Sequence, residues 1–328
     1  MKKTHKIFIC TALTSVLIFF LSACVSGEIS QEDTSLWKVS SSTFSHDPSI
    51  IYADGYYHQF YTANGIGHSY SLDGKNWSGA RSVFTMAPRW WKTYVPSKTD
   101  FNTWAPDVVK YNDKYYVFYS VSTFGSNTSC IGLASTTDLM SNVWEDLGVV
   151  MASSTSDTYN CIDPSFIEDS GKTYMAFGSW WKGLYIIELD STTLKVKDNS
   201  KPVLLASREA SSNAIEGVTI FKENNYYYLL ASYDLCCRGT QSTYSTRYGR
   251  SENLFGPYID ENGKEMIKGG GTILLSSKGT RIGPGGEDVF KTENGSWALC
   301  AHYYDALQNG RATLLIKDLN FTEDFWLY

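Results

Sequence analysis

Short apolar runs rich in tyrosine and tryptophan alternate with polar turn sequences along most of this chain. Runs of this kind, bounded by Asp-Gly, Asn-Gly and Gly-Lys pairs, predict β-strands joined by tight turns. Because no window shows a long apolar period of 3.6 residues, we expect few helices, all of them short. The pattern therefore predicts an all-β fold.

The runs form five copies of one unit, in which an acidic residue precedes a strand, a tight turn and an aromatic strand. Successive acids are 60, 56, 53 and 71 residues apart. Strand repeats of roughly 40–50 residues are typical of β-propellers, whose equivalent positions face one central axis. We therefore predict a five-bladed β-propeller and expect the five acids, at one repeat position, to converge on a small space. The acids are Asp47, Asp107, Asp163, Glu216 and Glu287.

The first unit shows how a blade divides into four strands. Strands are predicted at 49–52, 56–62 and 67–71, with a fourth after Trp77. The other units follow without an interdomain linker, so we expect a single domain over residues 44–328.

The first residues have the pattern of a secretory signal. Basic Lys2, Lys3 and Lys6 precede an apolar stretch that is too short to span a bilayer, and small residues follow it. We expect residues 1–23 to be removed, and an uncleaved membrane anchor is the alternative. The tetrapeptide at 21–24 resembles the lipobox of bacterial lipoproteins, which implies acylation of Cys24, a tether over residues 24–43, and lipid anchoring in the bacterial cell envelope, at the outer membrane or the cell surface.

Charge excludes one class of partner. Without the three signal lysines the chain has 25 basic and 34 acidic residues, a net charge of −9. Phosphate binding depends on clusters of Lys and Arg, and no such cluster is present. We therefore expect no nucleic-acid partner, and we expect a monomer that contacts a membrane only through its lipid.

Five cysteines remain after the signal and Cys24 are set aside, at irregular spacing that predicts neither a disulfide framework nor a zinc site. The adjacent pair Cys236-Cys237 is unusual, and we expect two buried thiols rather than a strained vicinal disulfide. The remaining cysteines are Cys130, Cys161 and Cys300.

Several carboxyl groups in one confined space raise one another's pKa, which costs stability and usually marks a functional site. Asp47, Asp163 and Glu216 lie in Pro- or Gly-flanked contexts and are the strongest candidates. Paired carboxyl groups across a cleft suit cleavage of a glycosidic bond. Capping of turns and a metal site are the alternatives. His46 and His302 fall at inner-strand positions near the acids, whereas His58 and His68 are expected to be structural.

Seven segments resemble the signatures of family-43 glycoside hydrolases, and more narrowly of endo-acting α-1,5-L-arabinanases, which are five-bladed propellers. The resemblance extends from about residue 44 to residue 319. It implies hydrolysis of internal bonds in arabinan or arabino-oligosaccharides with inversion of configuration, and no cofactor is required for the chemistry. The segments are HDPSI (46–50), WAPDVV (104–109), YSVSTFGSNTSCIGLA (119–134), NCIDPSF (160–166), FGSWWKGL (177–184), IEGV (215–218) and SYDLCCRGTQSTY (232–244).

Carried over by motif, the resemblance implies that Asp47 is the general base, Glu216 the general acid, and Asp163 the residue that orients the acid and tunes its pKa. Asp107 is expected to anchor its blade or to bind a sugar hydroxyl. The substrate-binding positions implied by the resemblance are Trp104, Phe124, Gly132, Asn160, Ser179 and Trp180. The neighbouring Trp90 and Trp91 are candidates for extending the groove.

One position departs from the family pattern. Many arabinanases place a histidine at the start of the fifth inner strand, where it holds a structural calcium ion, and Gly286 stands there in this chain. Three alternatives stay open: Glu287 or Asp288 replaces the ligand, His302 acts through water, or no ion binds.

Four other functions remain open on the sequence. An exo-arabinanase, an arabinofuranosidase and a β-xylosidase of the same family would share the three acids and differ in the loops that close the groove. A non-catalytic glycan-binding propeller is the fourth. A sialidase would need an arginine triad, and no arginine recurs at the repeat positions.

Overall fold

The computed structural model describes residues 37–40, 42–210 and 212–328. The signal at 1–23, Cys24 and most of the tether at 24–43 lie outside these residues. In chain order the strands are β1 (Ser49–Ala53), β2 (Tyr56–Tyr61), β3 (Ala63–Asn64), β4 (Gly67–Ser71), β5 (Ser78–Ser82), β6 (Asn102–Tyr111), β7 (Lys114–Val121), β8 (Ser129–Thr136), β9 (Glu145–Ser153), β10 (Ser165–Asp169), β11 (Lys172–Phe177), β12 (Leu184–Leu189), β13 (Val203–Ala206), β14 (Ile215–Glu223), β15 (Tyr226–Tyr233), β16 (Ser245–Ser251), β17 (Thr272–Leu275), β18 (Arg281–Lys291), β19 (Trp297–Asp305) and β20 (Arg311–Asp318).

These strands form five antiparallel sheets, which are the predicted blades. The sheets have the orders β1-β2-β4-β5, β3-β6-β7-β8-β9, β10-β11-β12-β13, β14-β15-β16-β17 and β18-β19-β20. Contacts run between the inner strands of successive blades, β1 with β6, β6 with β10, β10 with β14, β14 with β18 and β18 with β1. The ring is therefore closed, which confirms the five-bladed propeller.

Turn chemistry explains where the inner hairpins reverse. In each of the first four blades, both central residues of the β-turn between the first two strands have φ between 45° and 85°. This is the geometry of a type I′ turn, which favours Gly, Asn and Asp. The turn pairs are Asp54-Gly55, Asn112-Asp113, Ser170-Gly171 and Asn224-Asn225.

The apolar core lies between the blades. Among the described residues it forms five clusters, each shared by two neighbouring blades. Phe60 of blade 1 and Val117 of blade 2 belong to one of them, and Tyr228 of blade 4 and Leu299 of blade 5 belong to another. The aromatic surplus in the sequence thus serves largely to pack one blade on the next.

The residues before β1 complete the fifth blade. Phe44 pairs with Thr313 of β20, and the backbone N–H of Trp37 donates to the carbonyl of Ile316 at 3.1 Å. The Trp37 indole contacts Tyr57 of blade 1 at 5.5 Å and Phe290 of blade 5 at 6.2 Å between ring centroids. Residues 37–40 and 42–45 therefore supply the outer edge of the last blade.

Helices are short, as predicted. The described residues contain the α-helix Trp91–Tyr94 and the 3₁₀-helices Gly239–Gln241, Met266–Lys268 and Ala306–Gln308. In this part of the chain no helix has the length and apolar character needed to cross a bilayer.

Candidate active site

A pocket of about 590 Å³ opens at the axis, where the inner strands begin. This volume is typical of a ligand-binding cleft. The five acids singled out in the sequence all line it, and they come from all five blades. The predicted convergence is therefore confirmed. The acids are Asp47, Asp107, Asp163, Glu216 and Glu287.

The prediction that these acids share one repeat position is wrong. In every blade one residue with φ between 39° and 61° leads into the inner strand. The strand registers align these five residues, which are Asp47, Ala105, Asp163, Gly217 and Gly286. Only Asp47 and Asp163 of the five acids occupy that position.

The other acids are displaced by one or two residues, and this changes where their side chains lie. Successive side chains of a strand point to opposite faces. Glu216 stands one residue before the shared position, and Glu287 stands one residue after it. Asp107 follows by two residues and aligns with Ser49 and Asp288 deeper on the axis.

Asp47 is held in a form suited to accept a proton. Its Oδ2 accepts hydrogen bonds from the Thr62 hydroxyl at 2.7 Å and from His46 Nδ1 at 2.8 Å. Burial acts to raise the pKa of Asp47, but the charge and hydrogen bond of His46, with help from His302 and Thr62, hold this pKa below its usual range. The carboxylate is therefore ionised near neutrality.

The pKa of Glu216 is shifted in the opposite direction. Ser179 Oγ donates to its Oε2 at 2.6 Å, and the Tyr244 hydroxyl donates to its Oε1. Burial raises the pKa of Glu216 above its usual value, and the charge of Asp47 adds to this, against the two hydrogen bonds. The side chain is thus suited to donate a proton. Tyr244 was not singled out in the sequence, although it closes the quoted segment 232–244.

Asp163 lines the same pocket and contacts the backbone of the residue after the acid. Its Oδ2 accepts from the backbone N–H of Gly217 at 3.1 Å, and its own N–H donates to Ser120 Oγ at 2.9 Å. Burial and the charge of Glu216 raise the pKa of Asp163 well above its usual range. Because the two carboxyl groups repel each other when both are ionised, they share one proton most readily.

Deeper on the axis, two further carboxyl groups link the blades. Asp107 accepts from the backbone N–H of Phe166 at 2.6 Å, which joins blade 2 to blade 3 as the anchoring alternative predicts. Asp288 accepts from the hydroxyls of Ser49 at 2.6 Å and Thr219 at 3.1 Å, in blades 1 and 4. Burial raises the pKa of Asp288 to about 6. These contacts are structural, since they are made to neighbouring blades.

One group of described residues could offer ligand atoms to a metal ion, with these atoms within 4.8 Å of one another. It consists of His46, Asp47 and His302. Calcium prefers six to eight oxygen ligands, whereas this set has two imidazoles and one carboxylate. The Asp47 oxygens and both imidazoles are also engaged with each other and with Thr62 and Tyr304. The residues therefore do not fit a calcium ion.

The packing around Gly286 explains why no histidine stands at this position. A Cβ at this position would lie 2.2 Å from Asp47 Oδ1 and 2.9 Å from His302 Nδ1, and the φ of 58° favours glycine. In this chain the side chain of His302 packs where a residue at position 286 would project. The departure from the family pattern is thus matched to the packing of the general-base candidate.

Most predicted sugar-binding residues line the pocket. Trp104 is half-buried, and Phe124 is 86% exposed and so offers a ring to a ligand. Trp180 lines the pocket beside Trp181, which the sequence analysis missed. Asn160 is buried and accepts from Ser129 Oγ, and Ser179 is committed to Glu216, as described above.

Three other residues do not reach the pocket. Gly132 lies in β8, where a Cβ would meet the ring of Tyr119 at 2.5 Å, and its role is close packing. Trp91 is 1% exposed in the core between blades 1 and 2. Trp90 packs against that core and donates from Nε1 to Asp146. His58 and His68 are buried and hydrogen-bonded to each other at 3.1 Å, in agreement with a structural role.

The prediction for the adjacent cysteines is wrong. Cys236 and Cys237 form a vicinal disulfide. The pair lies on the pocket wall, with Cys237 exposed, rather than in the core where buried thiols were expected. Cys130, Cys161 and Cys300 are buried free thiols.

Comparison with known proteins agrees with this architecture. The family model described as glycosyl hydrolases family 43 matches residues 38–327. The chain belongs to this family. As a family-43 member it is a glycosidase.

Three relatives show which proteins of family 43 this chain is similar to. Extracellular endo-alpha-(1->5)-L-arabinanase 1 of Bacillus subtilis is 41% identical, over 100% of this chain and 99% of its own. Extracellular exo-alpha-(1->5)-L-arabinofuranosidase of Cellvibrio japonicus is 35% identical, over 86% of this chain and 85% of its own. The solved structure of a GH43 endo-arabinanase from Bacillus licheniformis has a TM-score of 0.84 and 43% identity, over 89% of this chain and 99% of that chain.

Proposed function

We propose that this protein is an endo-α-1,5-L-arabinanase, which hydrolyses internal bonds of arabinan and arabino-oligosaccharides. The observation that carries the proposal is the convergence of Asp47, Asp163 and Glu216 in one pocket of a family-43 propeller, with the pKa of Asp47 lowered and the pKa of Glu216 raised. Full-length similarity to the Bacillus subtilis endo-arabinanase gives the substrate class.

The proposed reaction is a single displacement with inversion. Asp47 takes a proton from water, and the water oxygen attacks the anomeric carbon of the arabinofuranosyl ring. Glu216 donates its proton to the glycosidic oxygen as the bond to the leaving sugar breaks. Asp163 holds the peptide after Glu216 and favours the protonated acid. Water and these side chains supply all the atoms, so no cofactor is required.

Aromatic side chains are proposed to bind the sugar rings on either side of the cleaved bond. Trp104, Phe124 and Trp180 present rings to the pocket, and Asn160 presents a polar group. Stacking of a sugar on an aromatic face suits a neutral polymer, which matches the acidic net charge of the chain.

The proposed location is the bacterial cell envelope, with the propeller held outside the cytoplasm by a lipid on Cys24. The related Bacillus subtilis and Cellvibrio japonicus proteins are extracellular by name, which supports export. Radiolabelled fatty acid should enter the full chain and fail to enter the Cys24→Ala variant. Sedimentation velocity of the protein from residue 25 onward should report a monomer.

Digestion of linear arabinan tests the proposal. A ladder of arabino-oligosaccharides at early times supports endo action, whereas release of one small product supports the exo action named for the Cellvibrio japonicus relative. Retained binding without cleavage would indicate a glycan-binding protein and would refute the proposal. The anomeric configuration of the first product, read by NMR, tests inversion.

A further inference from the structure

We propose that Tyr304 and the Cys236–Cys237 disulfide form a brace that positions Asp47 for base catalysis. The inference rests on the proposed role of Asp47 as the general base. Tyr304 and the disulfide are positioning elements, because they act on Asp47 through His46.

An uninterrupted series of contacts joins the disulfide to the base. The backbone N–H of Cys237 donates to the Tyr304 hydroxyl at 2.7 Å. That hydroxyl is 3.2 Å from His46 Nε2, and His46 Nδ1 is 2.8 Å from Asp47 Oδ2. Cys237 Sγ also lies 3.9 Å from His46 Nε2. The series spans blades 4, 5 and 1, so the position of Asp47 depends on a loop that is distant in sequence.

Two backbone N–H groups determine part of the donor and acceptor pattern in this series. The backbone N–H of Asp47 donates to His302 Nδ1 at 3.1 Å, so the proton of the neutral His302 ring is on Nε2. That N–H points to the Tyr304 hydroxyl, 3.3 Å away. Tyr304 Oη thus accepts from His302 and Cys237, and it lies 3.2 Å from His46 Nε2. His46 donates from Nδ1 to Asp47.

These contacts orient the side chain and the backbone of Asp47. His46 and His302 stack with 4.1 Å between ring centroids, one ring on the side chain of Asp47 and the other on its backbone N–H. Asp47 itself has a φ of 48°, which is unfavourable for a residue with a Cβ. Both rings share Tyr304 as their partner on the far side, so the hydroxyl fixes the pair.

The disulfide holds the N–H that Tyr304 accepts. Cys237 has a φ of 64°, in the left-handed region that is unfavourable for a residue with a Cβ. A covalent bond between neighbouring side chains restricts both residues and maintains this conformation. The rest of the loop is fixed by hydrogen bonds from Thr243 N to Leu235 O at 2.9 Å and from Arg238 N to Ser242 Oγ at 3.0 Å.

Kinetics of Tyr304→Phe test the first part of the brace. This change keeps the ring and removes the hydroxyl. We expect kcat on arabinan to fall about tenfold with little change in KM, because a base displaced by a fraction of an ångström loses alignment with its water. Thr240→Ala, in the same loop and exposed, is the matched control and should keep the wild-type kcat.

Chemical reduction tests the second part. A phosphine donates two electrons, and with two protons from water the disulfide becomes two thiols while the phosphine becomes its oxide. We expect reduction to lower the kcat of the wild type several-fold and to leave the kcat of Tyr304→Phe unchanged, because the brace is already broken. The Cys236→Ser/Cys237→Ser variant should match the reduced wild type and not respond to the phosphine.

Other outcomes would overturn the inference. Equal loss of kcat on reduction in the wild type and in Tyr304→Phe would show that the disulfide acts independently of Tyr304. An increase in KM alone would show that the pair is a wall of the substrate pocket only. A lower unfolding temperature with unchanged kcat would show a purely structural role. All variants are compared with wild type that cleaves arabinan, so failure of the proposed function is recognised first.

Discussion

At the level of single side chains, Asp47 and Glu216 show how one pocket shifts the pKa values of two carboxyl groups in opposite directions. Both are buried, and burial alone would raise the pKa of each. Asp47 faces two imidazoles and the Thr62 hydroxyl, and its pKa is lowered. Glu216 is bonded to neutral hydroxyls and faces the charge of Asp47, and its pKa is raised. The difference therefore comes from the neighbours.

Glu216→Gln should lower kcat by about 10²–10⁴-fold, since the amide keeps the shape and cannot deliver a proton to the leaving oxygen. The measurement is initial-rate kinetics on linear arabinan, with circular dichroism to check folding. Glu223→Gln, at the far end of the same strand, is the matched control. A Glu216→Gln enzyme with near-normal kcat would remove the assignment of the acid.

Gly286→Ala should lower kcat at least tenfold, because the new methyl group would overlap Asp47 Oδ1. Gly171→Ala is the control for backbone strain alone, as Gly171 has a φ of 73° and open space around it. Kinetics and thermal unfolding of both variants check the prediction. We expect Gly286→Ala to lose kcat and to lose more stability than Gly171→Ala, which should keep kcat. If both variants keep the wild-type kcat, the close approach of residue 286 to Asp47 is not important for catalysis.

At the level of strands and loops, the sequence was most informative where the signals were local. Turn pairs and aromatic alternation predicted strands at 49–52 and 67–71, and the structure has them at Ser49–Ala53 and Gly67–Ser71. Long-range partners left no local signal. Tyr304 is 258 residues from His46, and nothing in its own segment indicates that contact. Gly132 matches a sugar-binding motif position but lies in β8, where every residue is buried, and a motif match does not reveal that burial.

The segment before β1 gives a prediction about closure of the ring. Trp37 is half-buried between blades 1 and 5, and its indole N–H donates to Asp318 at 2.7 Å. Trp37→Ala should lower the free energy of unfolding by about 2 kcal/mol, less than the ~3–5 kcal/mol for a fully buried ring. Urea unfolding measures the change. Leu72→Ala, at an exposed position, is the control, and equal effects in both variants would contradict the closing role of Trp37.

At the level of the whole molecule, the propeller buries carboxyl groups with raised pKa values along its axis. Burial raises the pKa of Glu287 from an ordinary 4.5 to about 8, and its Oε1 has no hydrogen-bond partner within the described part of the chain. The folded state therefore binds this proton more tightly than the unfolded chain. Its contribution to stability is complete below about pH 4.5 and is lost as the pH rises toward 8.

The Tm of the wild type should consequently fall from pH 5 to pH 8 by roughly 5 °C more than the Tm of Glu287→Gln, which has no proton to lose there. Differential scanning calorimetry across this range measures the two slopes. Asp288, which titrates near pH 6, contributes equally to both proteins. Glu252→Gln, at an exposed site, should follow the wild type. Parallel curves for wild type and Glu287→Gln would assign the slope to other groups.

The proposed general base and general acid lie on different blades. This has a consequence for how the active site is assembled. Asp47 belongs to blade 1, Asp163 to blade 3 and Glu216 to blade 4, and the outer edge of the last blade comes from the first described residues. A fragment without blade 5 keeps the three acids but lacks His302 and Tyr304, which contact Asp47 and His46, so we expect it to be inactive. Catalytic turnover would therefore indicate that blade 5 has closed the ring against blade 1.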